Sequence, residues 1–505
     1  MSYTKSFTRG AYLQYVSVFF MAFLWLAVQK VITDSLPVDV YGVYSVFFSM
    51  INFCFMMFAG GFPPVVQRYV PQYLAQKQHN ALNAFYRKVA AAVLILALIP
   101  FAALIAGKPL IARKLNLPDL PILIYALVGL LIVFRNSIQF NNGVLIGFAS
   151  YGLRAAGELS ATVVRLVLIY LCSRLCPGLQ NLFIAIAAAY LYYLCFMLFS
   201  VRRNFKLLEK TADPPALDAA ESREIGRFSI SRFINSATDG ILDFSFDIYM
   251  ITWLLGAAGP AQAGLYGLGT GLSLVAVGFN PGRVCFNVLK RTLFLRHDST
   301  QDFDFVLRIT RMYIKMLGFF YLPLIVGVSI LGRRFIGLFF KSDYLPAADI
   351  FIVGTGCMAT ALTFIGAFYI VTDTLKLKRV HLYERLFLIY NIVLNYILIP
   401  KFGILGAVWS TGTTWLLMAG FLHLYLKRMV AIRIDWLAFL KMGLNLVPMA
   451  ALFVLAVPRL HSIPALAALS AAGFGLYLAC SFFNNALDAW ELDLLKNALK
   501  SRTAP

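Results

Sequence analysis

Residues 228–255 read FSISRFINSATDGILDFSFDIYMITWLL, an apolar stretch that is long enough to cross a membrane. We predict a single continuous transmembrane helix over this range. The stretch carries four charged side chains, which are Arg232, Asp239, Asp243 and Asp247. With about 100° of rotation per residue, all four fall on one face of such a helix, and the remaining faces are apolar. The sequence therefore predicts a charged stripe inside the membrane.

This charged stripe is a candidate functional site. A charged side chain at the centre of a membrane-spanning helix costs about 2.5–3.5 kcal/mol, so the stripe should face protein or a water-filled cavity. Asp243 and Asp247 lie deepest and have no cation one turn away on their own helix. We predict that they bind a coupling ion, with Asp239 as a third carboxylate. For Arg232 and Asp239 the alternative is a simple ion pair near the cytoplasmic end.

The composition defines the class of protein. Of 505 residues, 60% are hydrophobic and 13% are charged, and long apolar runs recur along the whole chain. This pattern predicts an all-α polytopic membrane protein. The net charge of +21 lies mostly in alternate loops, which is the positive-inside pattern and argues against a nucleic-acid partner. The cysteines form no CxxC pair and the histidines have no metal-ligand spacing, so we predict no metal site.

Apolar runs predict about fourteen transmembrane helices, with both termini in the cytoplasm. The predicted spans lie near residues 11–33, 41–62, 88–107, 122–147, 157–176, 180–200, 228–255, 262–280, 306–330, 349–372, 384–400, 404–425, 437–457 and 463–484.

Two short motifs indicate an internal repeat. Tyr41-Gly42-Val43-Tyr44 opens the second span, and Ala263-Gly264-Leu265-Tyr266 opens the eighth. An offset of six spans predicts two six-helix lobes related by a pseudo-two-fold axis along the membrane normal. The predicted divisions are a first lobe at 1–200, a cytoplasmic loop at 201–227, a second lobe at 228–426, and two further helices with an amphipathic cytoplasmic tail at 427–505.

The first lobe carries its own polar residues inside predicted spans. In span four, Arg135, Gln139 and Asn142 follow helical spacing, and Glu158 and Arg165 do so in span five. One interpretation is structural, with the amides joining helices and Glu158 neutralising Arg165. The other is a cationic cavity for an anionic headgroup, because the planar fork of arginine suits phosphate oxygens. The candidate residues for that cavity are Arg135, Arg165, Lys30, Arg232, Gln139 and Asn142.

The second half offers weaker candidates. Arg311 and Lys315 stand one turn apart in span nine; they could join the cavity or reach cytoplasmic lipid headgroups, and we predict the headgroups. Asn391 and Asn395 share a face of span eleven and should join neighbouring helices.

No enzyme signature competes with a transport function. The chain has no Walker A, HExxH or GxSxG sequence, and its loops are too short for a catalytic domain. We therefore predict that it is not an enzyme.

Several segments resemble motifs of a known family when they are taken in order along the chain. They are residues 41–44, Arg68-Tyr69 with the basic segment through Lys88, the region of Asp247 with residues 263–266, and NYILIPKFGILGA at 395–407. Together they resemble the Wzx-type polysaccharide flippases of the multidrug/oligosaccharidyl-lipid/polysaccharide (MOP) exporter superfamily. The resemblance covers essentially the whole chain, and its specificity comes from the order and spacing of the motifs.

The resemblance implies a flippase in the bacterial cytoplasmic membrane. Its substrate would be an oligosaccharide on a polyprenyl pyrophosphate, moved from the cytoplasmic to the outer leaflet by alternating access between two lobes. Membrane lipids and a polysaccharide polymerase with its export machinery would be partners. Asp247 matches an acidic position common in span seven of such proteins, whereas Asp239 and Asp243 lie outside that pattern.

Several alternatives stay open at this point. No cofactor is expected, and either a proton or a sodium ion could drive the cycle. The competing functions are a multidrug or cation antiporter of the same superfamily, a peptidoglycan-precursor flippase, and a membrane glycosyltransferase or polymerase. The last of these predicts a large outer loop, which the sequence lacks.

Overall fold

The computed structural model describes residues 3–208, 219–280, 303–375, 380–430, 432 and 434–486. All regular secondary structure in these ranges is helical, which confirms the predicted all-α class. The α-helices are α1 (Tyr3–Ser35), α2 (Val38–Phe58), α3 (Phe62–Ala75), α4 (His79–Ala106), α5 (Lys108–Lys114), α6 (Ile122–Gly147), α7 (Tyr151–Leu175), α8 (Leu179–Lys206), α9 (Ala219–Leu242), α10 (Phe244–Leu254), α11 (Gly259–Gly278), α12 (Phe303–Phe339), α13 (Ala347–Thr374), α14 (Val380–Phe402), α15 (Ile404–Lys427), α16 (Trp436–Ala456) and α17 (Ile463–Phe483).

Each predicted span overlaps one or more of these helices. In the described ranges, 11 helices are long and apolar enough to cross a membrane by length and composition, so the chain is a membrane protein. The predicted spans outside those 11 are 11–33, 228–255 and 262–280, which overlap α1, α9 with α10, and α11. The predicted cytoplasmic tail helix at 486–502 falls almost wholly outside the described residues.

The chain forms two compact units. One contains Val16–Gly267, and the other contains Met1–Tyr15 with Leu268–Pro505. In the unit of Val16–Gly267, helices α3, α4 and α6 share an aromatic core that includes Tyr69, Phe85 and Phe140. Fully buried aromatic side chains of this size contribute a large part of the packing energy of a helical bundle.

Within this same unit, the two repeat motifs meet at their glycines. A Cβ atom on Gly264 would lie 2.8 Å from the Cα of Gly42, and a Cβ on Gly42 would lie 1.9 Å from the carbonyl oxygen of Pro260. Real Cβ atoms essentially never approach other atoms this closely, so only glycine fits at both positions. Helices α2 and α11 therefore cross backbone against backbone, as small residues allow in membrane helices.

In the other unit, the last two helices pack against α12. Tyr477 of α17 donates a hydrogen bond of 3.0 Å to the carbonyl of Phe319. The buried ammonium of Lys315 lies 3.5 Å from the carboxylate of Asp435, which also caps the start of α16 by accepting from the Ala438 amide. The prediction that Lys315 reaches lipid headgroups was wrong, because a carboxylate on the next packed helix is close enough to hold its charge inside the protein.

The paired asparagines of span eleven behave as predicted. Asn391 donates to the hydroxyl of Thr411 at 3.0 Å, which joins α14 to α15. Asn395 donates to Asn391 at 3.2 Å on the same helix. Asn391 therefore joins the two helices, which confirms the expectation for this residue, whereas the bond of Asn395 supports Asn391 from within the same helix.

Candidate functional site

The predicted continuous helix at 228–255 is broken in the structure. Helix α9 ends at Leu242, and Asp243 has an extended backbone with φ −83° and ψ 151° before α10 begins. The Asp243 carboxylate accepts from the backbone amide of Ser245 at 3.2 Å and from its hydroxyl at 2.6 Å. The continuous-helix prediction was wrong because an aspartate can satisfy the free amides of a new helix start, which competes with helix continuation.

The break separates the four charges that were predicted to form one stripe. Arg232 and Asp239 are exposed on α9, whereas Asp247 is completely buried in the first turn of α10. The Arg232 guanidinium lies 5.1 Å from the centre of the Phe228 ring. Arg232 therefore makes a cation–π contact with an aromatic ring of its own helix.

Asp247 is bound by a residue of the second repeat motif. The hydroxyl of Tyr266 on α11 donates to Oδ2 of Asp247, and both side chains are completely buried. The ring of Phe244 stands edge-on to that of Tyr266, with ring centres 6.1 Å apart. A buried carboxylate requires such a donor, because an unpaired charge in an apolar interior is very costly.

Helix α2 holds the start of α10 in place. The Ser49 hydroxyl donates to the carbonyl of Ser245 at 2.7 Å. The Phe53 ring lies against the rings of Phe246 and Tyr249, with ring centres 6.1 Å and 5.5 Å away. The segment carrying Asp243 and Asp247 thus contacts helix α2 and Tyr266, all of which lie within Val16–Gly267.

Arg135 lies beside the same helix α2. Its guanidinium carbon is 5.7 Å from the centre of the Phe55 ring, and the side chain is half-buried. Its Nε is buried without a hydrogen-bond partner among the described residues, and the neighbouring Asn136 is fully buried with both amide atoms unpartnered there. A buried guanidinium donor without an acceptor is uncommon, because leaving it unsatisfied costs free energy.

Arg165 has the same character on α7. Its Nε is buried, and it has no hydrogen-bond or ion-pair partner in the described part of the chain. The expectation that Glu158 neutralises Arg165 was wrong, since Glu158 lies 3.9 Å from Arg154, one helical turn earlier.

Other predicted cavity residues have structural partners. Lys30 forms a 2.8 Å ion pair with Asp34 at an exposed position near the end of α1. Asn142 donates to the hydroxyl of Tyr193 at 3.2 Å, which joins α6 to α8. Gln139 is half-buried on α6, one turn after Arg135. The structure therefore leaves Arg135 and Arg165 as the cations with unused donor capacity among these candidates.

Sequence reasoning missed two neighbours of the site. Tyr266 was visible as part of a repeat motif, but nothing in the sequence pairs it with Asp247. Phe55 lies in an apolar run, where an aromatic ring is ordinarily a packing residue. Only the three-dimensional packing of α2 against α6 and α10 shows that these residues adjoin charged side chains.

Comparison with known proteins identifies the class to which this fold belongs. A lipid II flippase, MurJ, in an inward closed conformation has a TM-score of 0.66 at 14% identity, covering 94% of this chain and 99% of that chain. An inward-facing multidrug resistance MATE family transporter of the MOP superfamily has a TM-score of 0.63 at 10% identity, covering 81% of this chain and 95% of that one. The chain therefore shares the fold of these two proteins.

One curated relative is similar in sequence. It is an uncharacterized membrane protein of Methanocaldococcus jannaschii, 24% identical over 472 residues, which are 89% of this chain and 90% of that protein. No protein-family profile matches the chain. The proteins of this fold named above are described as a flippase and a transporter, in agreement with the prediction that the chain is not an enzyme.

Proposed function

We propose that this protein is a flippase that moves a polyprenyl-pyrophosphate-linked oligosaccharide from the cytoplasmic to the outer leaflet. The observation that supports this most directly is the pair of half-buried arginines, Arg135 and Arg165, whose Nε donors have no acceptor among the described residues. A pyrophosphate offers several oxygen acceptors that match the donor fork of arginine. A phosphate oxygen bound at either arginine would supply the acceptor that its Nε lacks.

The proposed phosphate site centres on these two arginines. Gln139 would add an amide, whereas Lys30 is excluded from direct contact because Asp34 already neutralises it. Arg232 is exposed on α9 and would act on the headgroup before it reaches the arginine pair. The sugar would occupy hydrated space and the polyprenyl chain would stay in lipid, while two six-helix lobes alternate between access to the two leaflets.

Coupling to an ion gradient is assigned to the carboxylates of α10 and its start. Asp247 is completely buried and hydrogen-bonded, so binding or loss of a proton or sodium ion there changes the charge of the protein interior. Asp243 adjoins it across one turn, and Asp239 is an exposed carboxylate on the preceding helix. A bound ion shifts the inward and outward populations only by its difference in affinity for the two states.

A second candidate is a drug or organic-cation antiporter. It is favoured by the buried carboxylate of Asp247, which would attract a cation, and by the MATE transporter fold. The unpartnered arginines oppose it, because two positive charges near the substrate would repel a cationic drug. The two candidates therefore differ in the sign of charge that the substrate must carry.

The experiment that tests the proposal is lipid analysis of cells that lack the gene. We expect a polyprenyl-linked oligosaccharide to accumulate with its sugar facing the cytoplasm, and the intact gene to reverse this. The sugar composition would distinguish a surface polysaccharide from a peptidoglycan precursor. Accumulation of cationic dyes with normal lipid-linked glycans would instead establish the antiporter.

The proposed setting follows from this substrate. The protein would lie in the cytoplasmic membrane with both termini in the cytoplasm, and it would hand its product to a polymerase and export machinery on the outer side. Protease protection of tagged termini in sealed inverted vesicles tests the orientation. Cleavage of both tags in inverted vesicles, and protection of both in right-side-out vesicles, is the expected result.

A further inference from the structure

We propose that Tyr266 is a positioning residue that links the charge state of Asp247 to the crossing of helices α2 and α11. This inference rests on the proposed transport function, in which Asp247 binds the coupling ion. It assigns a mechanical role to the second repeat motif, residues 263–266, which the transport argument otherwise leaves unused. The link runs from the Asp247 carboxylate through the Tyr266 hydroxyl to the backbone contact at Gly264.

The first step is the hydrogen bond itself. The Tyr266 hydroxyl donates to Oδ2 of Asp247, and neither side chain has any exposed surface. A hydroxyl donating to an ionised carboxylate is about twice as strong as a bond between neutral groups. Protonation of Asp247, or capture of its oxygen by a cation, weakens this bond. The bond therefore reports whether the coupling site is occupied.

The second step is the position of Tyr266 on its helix. Gly264 lies two residues earlier on α11, where its missing Cβ would come within 2.8 Å of the Cα of Gly42. A Cβ on Gly42 would in turn collide with the carbonyl of Pro260 at the start of α11. Because an α-helix is stiff over two residues, a displacement of the backbone at Tyr266 moves the crossing at Gly264 with it.

The third step is the position of Asp247. Helix α10 begins after its N-cap residue Asp243. It is held on α2 by the hydrogen bond from the Ser49 hydroxyl to the Ser245 carbonyl. Helices α10 and α11 thus both rest on α2, and the bond from Tyr266 to Asp247 connects them to each other. Loss of that bond removes the polar contact between α10 and α11, while the ring contact of Phe244 with Tyr266 and the close approach of Gly259 to Thr252 remain. The result is a two-state element that an ion at Asp247 can bias.

The test compares four variants of the full-length protein: Tyr266→Phe, Asp247→Asn, the double variant, and the control Tyr125→Phe. Tyr125 is also completely buried, but its hydroxyl has no hydrogen-bond partner among the described residues. We expect Tyr266→Phe to lower the rate of lipid-linked oligosaccharide flipping at least ten-fold with unchanged substrate affinity. In the Asp247→Asn background the same change should have no further effect, and Tyr125→Phe should match the wild type.

Two measurements on purified protein need no substrate. The carboxyl infrared band of Asp247, assigned by its loss in Asp247→Asn, should shift in Tyr266→Phe and stay in place in Tyr125→Phe. Hydrogen exchange should accelerate in peptides covering the starts of α2 and α11 in Tyr266→Phe and Asp247→Asn, and no more in the double variant. If Tyr266→Phe does not fold, the exchange measurement on Asp247→Asn tests the same hydrogen bond by changing its acceptor.

Two results would overturn the link. One is a Tyr266→Phe protein that matches Tyr125→Phe in flipping, infrared and exchange measurements. The other is equal, additive losses from Tyr266→Phe in the wild-type and Asp247→Asn backgrounds, which would mark a purely structural tyrosine. Failure of the proposed function gives a different result: the infrared shift and the exchange coupling remain, but no lipid-linked oligosaccharide is flipped by the wild type.

Discussion

The guanidinium of Arg135 stacks beside Phe55 at 5.7 Å, yet its Nε finds no hydrogen-bond acceptor among the described residues. The ring contact uses none of the N–H donors of the guanidinium, and in the proposed site the phosphate oxygens of the substrate accept from them. This relationship makes Arg135 the residue at which the proposed phosphate site is most directly tested.

Replacement of Arg135 by lysine should weaken substrate binding although the positive charge is kept. Lysine presents a single ammonium and lacks the planar fork, so we expect about a ten-fold increase in Kd for the pyrophosphate-linked lipid, roughly 1.4 kcal/mol. Binding of a labelled analogue to purified protein in nanodiscs measures this. Arg174→Lys is the matched control, because Arg174 also stacks on a ring, that of Tyr170 at 5.5 Å, but lies exposed at the end of α7. Equal effects of the two changes would remove Arg135 from the site.

Asp243 should be separable into a helix-capping role and a charge role. Asparagine caps helices about as well as aspartate, whereas alanine loses the bonds to Ser245 and costs about 1 kcal/mol. We expect Asp243→Asn to keep the thermal stability of the wild type and Asp243→Ala to lower it. If Asp243→Asn nevertheless slows ion-driven transport, its charge contributes to coupling. Equal stability of all three proteins would show that the cap is energetically unimportant.

Gly264→Ala should separate helices α2 and α11. The new methyl group would lie 2.8 Å from the backbone of Gly42, and backbone cannot move aside as a flexible side chain can. We therefore expect the free energy of unfolding to fall by about 1–3 kcal/mol. Thermal unfolding in detergent, followed by size-exclusion fluorescence, is the measurement. Gly267→Ala is the control on the same helix, since its nearest contacts would be an ordinary 3.5 Å. A Gly264→Ala protein as stable as the control would contradict the close crossing.

Lys315→Met should loosen the attachment of α16 to α12. The change removes the cation that faces the Asp435 carboxylate. Because Asp435 is partly exposed, we expect the free energy of unfolding to fall by about 1–3 kcal/mol. Asp435→Asn keeps the helix cap and removes only the charge, so the double variant should be less destabilised than the sum of the two changes. Arg311→Met, at an exposed position one turn away, is the control and should leave the melting temperature unchanged.

The helical architecture could be predicted from the sequence because apolar runs and alternating basic loops are strong, local signals. The break at Asp243 could not. Helical periodicity alone treats residues 228–255 as uniform, and whether an aspartate continues a helix or caps a new one depends on what packs against it. Ser49 and Phe53, which hold the start of α10, come from a helix almost two hundred residues earlier in the chain.

The candidate site was predictable in part for a similar reason. Residue types and spacing singled out Arg135, Arg165 and Asp247, since charges inside apolar runs are conspicuous. Their partners were not predictable, because ion pairs depend on side-chain direction as well as on spacing. Glu158 has one arginine four residues before it and another seven residues after it, and only the structure shows that it pairs with Arg154.

The interruption of the helix at Asp243 also has an electrostatic consequence. Helix α10 has 11 residues and is therefore about 16 Å long, roughly half the thickness of a bilayer's hydrocarbon core. A continuous helix would carry the positive end of its dipole to the membrane surface, where water screens it. The break instead creates a second positive pole inside the protein, one turn from Asp247. The backbone itself thus stabilises, by about 0.3–1 kcal/mol, the negative charge of the carboxylate buried there.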